Sequence, residues 1–258
     1  MPAPVNVICM KWGTLYGPEY VNYLRAGVAR HLKWPFRFVC FTDDATGLSE
    51  EVQVLPLPQL GLPKGERDLR WRKLAVFRRE LHDLKGPTLF LDLDLVIVGS
   101  LDEFFEQPGR FLIIRDDDLF RSKPLRKLNP VRDRFLHSVG NSSVFRYQIG
   151  DHGDILDTYL ADPAAATAAY QNEQEFLSGQ LSAQGELAYW PKGWCVSFKN
   201  DCVPRGAKSW LADPVVPKGA RIVVFAGTPK MSDVLAGGGH KWYRRIGDVR
   251  WLREAWAD

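Results

Sequence analysis

The sequence lacks any apolar run that approaches the roughly 20 residues needed to cross a bilayer as a helix. Its first residues, MPAPVNVICMKWG, also lack the basic segment and the long apolar segment of a secretory signal peptide. The net charge is only +3 over 258 residues, too little to suggest general nucleic-acid binding. These absences predict a cytoplasmic protein with no nucleic-acid partner.

Cysteine is scarce and is not arranged for metal binding. The cysteines are Cys9, Cys40, Cys195 and Cys202, and no histidine lies between the last two. Cys9 and Cys40 fall inside apolar runs, where a free cysteine packs as a small apolar side chain. We therefore expect reduced thiols with structural roles at all four positions.

The sequence does contain an alternation of apolar strands and amphipathic helices. The apolar fraction of 45% and the charged fraction of 25% are ordinary for a globular domain. Predicted strands cover residues 5–10, 36–42, 52–57, 88–94, 110–117, 141–150 and 219–227, and predicted helices cover 17–32, 69–81, 153–162 and 172–185. This alternation favours an α/β fold with a mainly parallel central sheet flanked by helices. No repeat or composition shift marks a linker, so we expect a single domain.

One apolar run, GPTLFLDLDLVIVGSLDEFF at residues 86–105, carries two carboxylates, Asp92 and Asp94. Residues 89–98 have the composition of a strand buried on both faces, where an unpaired carboxylate would cost several kcal/mol. The period of 2 places both acids on one face of that strand, with Cα atoms roughly 6.5 Å apart. Something cationic is therefore expected beside this pair.

The sequence after the pair predicts where it lies in the sheet. Ser100 and Glu103 fit a capping box at the start of a helix, so Asp92 and Asp94 follow the C-terminal end of a central strand. Open α/β sheets bind their ligands at that edge. Mg²⁺ or Mn²⁺, held by the two acids and completed by water and phosphate oxygens, is the natural partner. A turn cap plus an arginine partner would also account for the two acids.

Six stretches of the sequence, taken together and in their order along the chain, resemble the motifs of a known family. They are ICMKWGTLYGPEYVNYLRAGVARHL with FRFVCFTDD, then RWRKLAVFR, LFLDLDLVIVGSLDEFF, GNSSVFRY, NEQEFLSGQL and VVFAGTPK. In this order the sequence resembles glycosyltransferases of the GT-A fold, most closely family 8, the glycogenin and lipopolysaccharide galactosyltransferase group. The resemblance implies a GT-A-like domain with a nucleotide-binding half (about residues 1–100) and an acceptor half with the C-terminal segment (about residues 101–258).

The resemblance also implies an activity and a set of site residues. The activity is metal-dependent transfer of a hexose from a nucleotide sugar, a UDP-sugar, to a glycan or lipid-linked acceptor, with retention of configuration. The D-x-D acids Asp92 and Asp94 would hold Mn²⁺ or Mg²⁺ against the diphosphate. The implied nucleotide-binding residues are Trp12, Thr42, Asp43, Asp44, Arg70, Lys73, Asp92, Gly227 and Lys230. The implied acceptor-binding residues are Asn141, Ser142 and Ser143, and the implied catalytic residues are Glu173 and Gln174.

Several of these residues have simpler interpretations from local structure alone. Asp44 is equally explained as a turn cap, and Glu173 as a partner of the helix dipole. Trp12 and Tyr16 in the loop KWGTLYG offer flat surfaces for a base, although loop aromatics as often cover a core.

The late strand departs from the family pattern. Family members place a metal-binding histidine ahead of G-x-x-K, whereas Val224, Phe225 and Ala226 precede Gly227 here. Either water and diphosphate complete the metal shell, or His240 in the glycine-rich segment AGGGHKW supplies a ligand.

Two rival functions stay open at this point. A phosphotransferase of the haloacid-dehalogenase type would use Asp92 as nucleophile and Asp94 as acid–base, since LDLDLV fits its D-x-D-x-[TV] spacing. A protein that binds a sugar nucleotide or glycan without turnover would explain the missing histidine.

The C-terminal segment suggests a location. Residues 240–256 combine tryptophan and tyrosine with lysine and arginine, and residues 121–134 are also basic. Together they predict peripheral contact with the anionic inner face of a membrane. A C-terminal helix that packs its tryptophans on the core is the alternative.

Overall fold

The computed structural model describes residues 4–61, 71–116 and 138–256. The strands in these ranges are β1 (Val5–Lys11), β2 (Phe36–Thr42), β3 (Gln53–Pro56), β4 (Pro87–Leu91), β5 (Leu95–Ile97), β6 (Phe111–Arg115), β7 (Gly140–Gln148), β8 (Leu187–Tyr189), β9 (Cys195–Ser197) and β10 (Ile222–Val224). The α-helices are α1 (Pro18–His31), α2 (Asp102–Glu106), α3 (Gly153–Ala161), α4 (Pro163–Ala169), α5 (Glu173–Ala183), α6 (Met231–Leu235) and α7 (Arg250–Ala255).

A seven-stranded sheet in the order β3-β2-β1-β4-β7-β6-β8 forms the centre of the molecule. The first four strands run parallel, β7 is antiparallel to β4 and β6, and β6 and β8 are parallel. Strand β1 is buried along its whole length because helices and loops cover both faces of the sheet. The prediction of an α/β fold with a mainly parallel sheet is confirmed.

The prediction of one strand through residues 89–98 is wrong. The chain leaves the large sheet after Leu91, and the Asp92 N–H donates a 2.9 Å hydrogen bond to the Ser143 carbonyl. It then bends, and β5 joins a separate sheet in the order β5-β10-β9. The apolar composition of both halves hid this break, because β5 is buried as completely as β4. The two acids lie in the bend between the sheets.

The predicted amphipathic helix over residues 69–81 is also wrong. The structure has a short 3₁₀-helix, Arg72–Phe77, and residues 69 and 70 lie outside the described ranges. Leu74, Ala75, Val76 and Phe77 are all buried. Four consecutive buried residues do not fit the one-sided burial of the predicted amphipathic helix.

Helix ends follow local chemistry in most places. Helix α1 begins at Pro18, as its sequence predicts, because proline suits the first turn. The predicted capping box at Ser100 and Glu103 is wrong. Leu101 is the N-cap of α2, the Ser100 hydroxyl accepts from the Asp102 N–H, and Glu103 forms an ion pair with Arg221 instead.

Two apolar cores lie on the two faces of the large sheet. One contains a cluster of aromatic rings under the acid pair, with members Phe77, Phe90, Phe111, Phe145 and Tyr147. The other lies under α1, the small sheet and α7. All four cysteines are buried and free, as predicted.

The C-terminal segment divides between core and surface. The Trp251 indole donates to the Pro214 carbonyl at 3.0 Å, and Trp256 packs against Tyr20 and Tyr23. Trp242, by contrast, is 91% exposed. Among the described residues, none of the helices has the length and apolar character required to span a membrane.

Candidate active site

Three segments meet at the edge of the large sheet where β1, β2 and β4 end. They are the loop after β1, the bend between β4 and β5, and the start of α5. They enclose a cavity of about 320 Å³, a size found in small-ligand sites. The cavity is lined by Met10, Trp12, Leu15, Tyr16, Lys73, Asp92, Leu93, Asp94, Asn172 and Glu173.

Asp92 is held by a lysine from the 3₁₀-helix. Lys73 Nζ lies 2.8 Å from Asp92 Oδ1 and donates a 3.0 Å hydrogen bond to Oδ2. Burial lowers the pKa of Lys73, but the charges of Asp92 and Glu173 and the bond to Asp92 outweigh this, so the pKa is raised overall. Lys73 therefore stays protonated and is a cation beside the pair.

Asp94 is in a different electrostatic situation. Burial and the charge of Asp92 raise the pKa of Asp94 to about 6, and the charge of Lys73 and a hydrogen bond from Tyr16 offset this only in part. Burial and the charges of Asp94 and Asp92 raise the pKa of Tyr16, so its phenol remains a donor. A carboxyl with such a raised pKa next to a second carboxylate is typical of a functional site.

The first turn of α5 approaches the acid pair from the other side. Glu173 Oε1 accepts a 2.7 Å hydrogen bond from Ser142 Oγ and lies 3.9 Å from Lys73 Nζ. Gln174, the next residue, places its Oε1 3.5 Å from the Ser142 backbone nitrogen. Asn172 caps α5 by accepting from the Glu175 N–H at 3.0 Å. Glu173 and Asn172 line the cavity, whereas Gln174 does not belong to its lining.

The predicted acceptor residues are mostly interior. Asn141, Ser142 and Ser143 are all buried in β7. The Ser142 carbonyl and hydroxyl each accept from Lys73 Nζ at 3.1 Å, and Asn141 Oδ1 accepts from the Ser143 N–H at 3.0 Å. In this structure Ser142 therefore positions Lys73 and Glu173, and acceptor binding by the three residues stays a prediction.

The residues after β2 lie beside the first loop. Asp43 Oδ2 accepts from the Gly13 N–H at 3.3 Å, next to Trp12. The Thr42 hydroxyl bonds the backbone of Asp44, and Asp44 Oδ1 accepts from the Thr46 N–H at 2.9 Å. That bond lowers the pKa of Asp44. Asp44 is thus a turn cap here, and Asp43 supports the loop that carries Trp12.

The aromatic residues of the first loop have distinct neighbours. Arg72 lies over the Trp12 ring at 5.6 Å, and Lys230 lies over the Tyr16 ring at 5.4 Å. Trp12 lines the cavity, whereas Tyr16 directs its hydroxyl to Asp94. Arg70 lies outside the described residues.

The late loop brings Lys230 and Gly227 near the acids, but not His240. The Phe225 N–H donates to the Asp94 carbonyl at 2.8 Å, which places the start of this loop against the acid pair. Gly227 has φ +81°, a conformation that favours glycine. His240 is exposed, and its Nδ1 accepts from the Ile246 N–H at 3.0 Å.

Asn172 is the polar residue of the cavity lining that the sequence analysis did not single out. Its signal was present, since an asparagine directly before an acidic helix start is a typical N-cap. The hydrogen bond of Tyr16 to Asp94 had no sequence signal, because the two residues are joined only by the fold.

The donor set suits a hard divalent cation. Asp92 and Asp94 offer carboxylate oxygens in one cavity, and the raised pKa of Asp94 indicates that a further cation would be favourable there. Within residues 4–61, 71–116 and 138–256, no three His, Cys, Asp or Glu side chains cluster as a metal site. Mg²⁺ and Mn²⁺ commonly take one or two carboxylates and complete their shell with water and phosphate, so the residues fit.

Comparison with known proteins identifies the fold. No protein-family profile matches the chain, and no curated protein matches it in sequence. Solved structures do match: the galactosyltransferase LgtC in complex with donor and acceptor sugar analogs superposes with a TM-score of 0.62 at 13% identity, covering 97% of this chain and 95% of LgtC. The chain has the GT-A glycosyltransferase fold.

Two further structures agree. An active-site glutamine-to-glutamate mutant of LgtC gives a TM-score of 0.58 at 12% identity over 97% of this chain and 94% of that one. The apo form of the glycosyltransferase GlyE from Streptococcus pneumoniae gives 0.58 at 11% identity over 98% of this chain, which spans 59% of GlyE. The haloacid-dehalogenase hypothesis required a different fold around the D-x-D motif, and the GT-A fold does not provide it.

Proposed function

We propose that the protein is a glycosyltransferase that uses a nucleotide sugar, a UDP-sugar, and a divalent cation held by Asp92 and Asp94. The observation that supports this most is the shared cavity: both acids, Glu173 and Trp12 line one space at the ligand-binding edge of a GT-A sheet. LgtC, which has this fold, was solved with donor and acceptor sugar analogs. We propose that this chain likewise uses a sugar donor and a sugar acceptor, with a nucleotide sugar as the donor and a glycan or glycolipid as the acceptor.

The roles follow from the chemistry of the side chains. Mn²⁺ or Mg²⁺ on the acid pair would neutralise charge that develops on the leaving diphosphate. Lys73 fixes the orientation of Asp92, and Tyr16 fixes that of Asp94 by hydrogen bonding. Lys230, above Tyr16, adds positive charge on the diphosphate side.

Glu173 is the candidate for the reacting-sugar side of the cavity. Its carboxylate is oriented by Ser142, lies near Lys73 and lines the space that the sugar would occupy. Gln174, one residue later, supports the backbone of Ser142. Retention is the predicted stereochemistry, and NMR of the product's anomeric proton would establish it.

Hydrolysis of UDP-sugars tests the proposal. Wild-type protein should release UDP from at least one UDP-hexose with Mn²⁺, and chelation should abolish the release. Asp94→Asn should lower the rate at least about 100-fold, since it removes a charged ligand at the leaving group. Asp157→Asn, at an exposed ion pair with Arg79, is the matched control and should retain the wild-type rate. UDP binding without turnover of any donor or acceptor would favour the non-catalytic binding protein.

We also infer a membrane-facing surface. It keeps Trp242 and Tyr243 of the predicted segment 240–256, but not Trp251 and Trp256, which contact the rest of the fold. Trp210, Leu211, Trp242 and Tyr243 are exposed, the second at 88%. Their two turns are joined because Ser209 Oγ accepts from the Arg245 N–H at 3.1 Å. Exposed basic residues lie within a few positions of them in the sequence, namely Arg205, Lys208, Lys241 and Arg245. Aromatic and basic residues together suit an anionic bilayer surface, where lipid-linked acceptors reside.

Vesicle co-sedimentation tests this surface. Wild-type protein should bind vesicles that contain phosphatidylglycerol more strongly than vesicles of phosphatidylcholine alone. Replacing Trp242 and Leu211 together with serine should remove most of that binding, and Leu15→Ser, an exposed apolar residue elsewhere, should not. Equal binding by the double variant and the wild type would refute the assignment.

A further inference from the structure

The late strand β10 lacks a metal ligand, and Lys199, in the turn that follows the neighbouring strand β9, contacts the loop after β10. Strands β9 and β10 are parallel with Ser197 opposite Val224, so both chains leave the small sheet at the same place. After β9 the chain forms one π-helical turn, Phe198–Cys202, in which Asp201 Oδ2 accepts from the Ser197 N–H at 2.8 Å. Turns of this wide type are frequent at functional sites.

The π-helical turn directs Lys199 to the loop that follows β10. Lys199 Nζ donates a 2.8 Å hydrogen bond to the Ala226 carbonyl. A Cβ atom on Gly227 would lie 3.4 Å from the same ammonium. The backbone of Lys199 is itself held, because its carbonyl accepts from Arg244 Nη1 at 3.2 Å. The half-buried ammonium is therefore placed by several contacts against the backbone at Gly227.

The loop that Lys199 contacts is hydrogen-bonded to the backbone of Asp94. The residue before Ala226, Phe225, donates its N–H to the Asp94 carbonyl. At the other end of the same loop, Lys230 lies over Tyr16, whose hydroxyl bonds Asp94. The short loop from Ala226 to Lys230 thus has an ammonium at each end, and Asp94 lies next to it.

The charges of the site call for such a pair of cations. Asp92, Asp94 and Glu173 contribute three negative charges, and Lys73 contributes one positive charge. A divalent ion on the acids would bring the formal charge of this group to zero. Charge attraction for a diphosphate beyond its bonds to the ion therefore has to come from other cations. Two further fixed positive charges would match a diphosphate bridging from the metal to the late loop.

We propose that Lys199 is an anion-binding residue of this site, which with Lys230 binds the diphosphate of the donor. The positive charge of Lys199 compensates for the metal ligand that Val224, Phe225 and Ala226 cannot supply. The inference rests on the proposed function, since it concerns the same ligand. On binding, the ammonium exchanges its hydrogen bond with the Ala226 carbonyl for a phosphate oxygen, or shares its protons between both.

Calorimetric titration of UDP with Mn²⁺, and NMR titration of uridine, test the inference. Lys199→Gln keeps a donor for the Ala226 carbonyl but removes the charge, and we expect it to weaken UDP binding about 10- to 100-fold. Uridine, which lacks the diphosphate, should bind both proteins equally. Lys199→Arg should restore UDP affinity to within about threefold, because it restores the charge. Lys218→Gln, at an exposed lysine with no role in the site, is the control and should bind UDP as the wild type does.

The outcomes separate this inference from the proposed function. Wild-type UDP affinity in Lys199→Gln would refute the role of Lys199 while leaving the proposed function intact. Equal losses for uridine and UDP, or no recovery with arginine, would show that Lys199 only anchors the loop and would also refute it. Failure of the wild type to bind UDP at all would overturn both.

Discussion

The charges of Asp92 and Asp94 have different effects on the stability of the folded protein. Asp92 is neutralised by Lys73 at 2.8 Å, whereas Asp94 keeps a raised pKa in spite of Tyr16 and Lys73. Asp92 therefore contributes to stability at neutral pH through its ion pair. Asp94 reduces stability at neutral pH, because ionising it costs more in the folded state than in the unfolded state.

We predict that Asp94→Asn stabilises the protein at pH 7.5 by about 1–3 kcal/mol. The pKa of Asp94 is about 6 when folded and ordinary when unfolded, so between these values the folded state binds more protons. Wild-type stability should thus fall as pH rises from about 4 to 7 relative to the variant. Urea unfolding at pH 4 and 7.5 measures this, and an equal effect at both pH values would contradict it.

Lys73→Met should destabilise the protein, in contrast to Asp94→Asn. It leaves Asp92 and Glu173 partly buried without their shared cation, and removing one partner of such an ion pair costs about 3 kcal/mol. Arg79→Met, at an exposed ion pair with Asp157, is the control and should cost less than about 1 kcal/mol. Equal losses in urea unfolding would show that Lys73 is an ordinary surface charge.

At the scale of elements, the site depends on where strands and helices stop. The bend after β4 turns Asp92 and Asp94 out of the sheet, and the N-terminus of α5 brings Glu173 to them. Helix α5 is capped by Asn172, and α4 is capped in the same way by Asp162, which accepts from the Ala165 N–H at 2.8 Å. The two caps have the same structural role, but only Asn172 lines the cavity.

Asn172→Ala and Asp162→Ala should therefore destabilise the protein similarly, by about 1 kcal/mol each, because each removes an N-cap. Only Asn172→Ala should weaken UDP binding or donor hydrolysis, because it also changes the cavity wall and loosens Glu173. Denaturation and UDP titration on both variants provide the comparison. Matching losses of UDP affinity in both would mean that the effect passes through global stability alone.

Element positions were predictable where one local signal dominated. Strand β2 was predicted with its observed bounds, and Pro18 marked the start of α1. The break at Asp92 was not predictable from periodicity, since the residues on both sides are apolar and buried in different sheets. The 3₁₀-helix Arg72–Phe77 was missed because its burial is set by α3 and the aromatic cluster, which are distant in sequence.

At the scale of the whole molecule, the acid pair itself and its need for a cation were predictable, because burial of two carboxylates in an apolar run is costly. The identity of the cation beside Asp92 was not predictable. Lys73 was expected to bind a diphosphate, whereas its ammonium donates a hydrogen bond directly to Asp92. Contacts such as Tyr16 with Asp94 and Lys199 with Ala226 join segments that only the folded sheet brings together.

A buried histidine away from the site, His152, should affect how the stability of the protein depends on pH. His152 lies against Phe111 and 3.4 Å from Glu186, and burial lowers its pKa although Glu186 and Asp151 act against this. It is neutral when folded, so stability should fall as pH drops below about 6.5, where the unfolded chain takes up the proton first. His152→Gln should lose less stability between pH 7 and 5 than the wild type in urea unfolding, and a steeper loss would contradict this.

The central claim is that Asp92 and Asp94 bind a divalent ion that in turn binds a nucleoside diphosphate. The most direct measurement is calorimetric titration of UDP into the wild type and into Asp94→Asn, each with Mn²⁺ and with chelator. We predict UDP binding by the wild type that requires Mn²⁺ and is lost in the variant, although the variant is folded and more stable at that pH. UDP binding that is equally strong with chelator, or unchanged in the variant, would contradict the account.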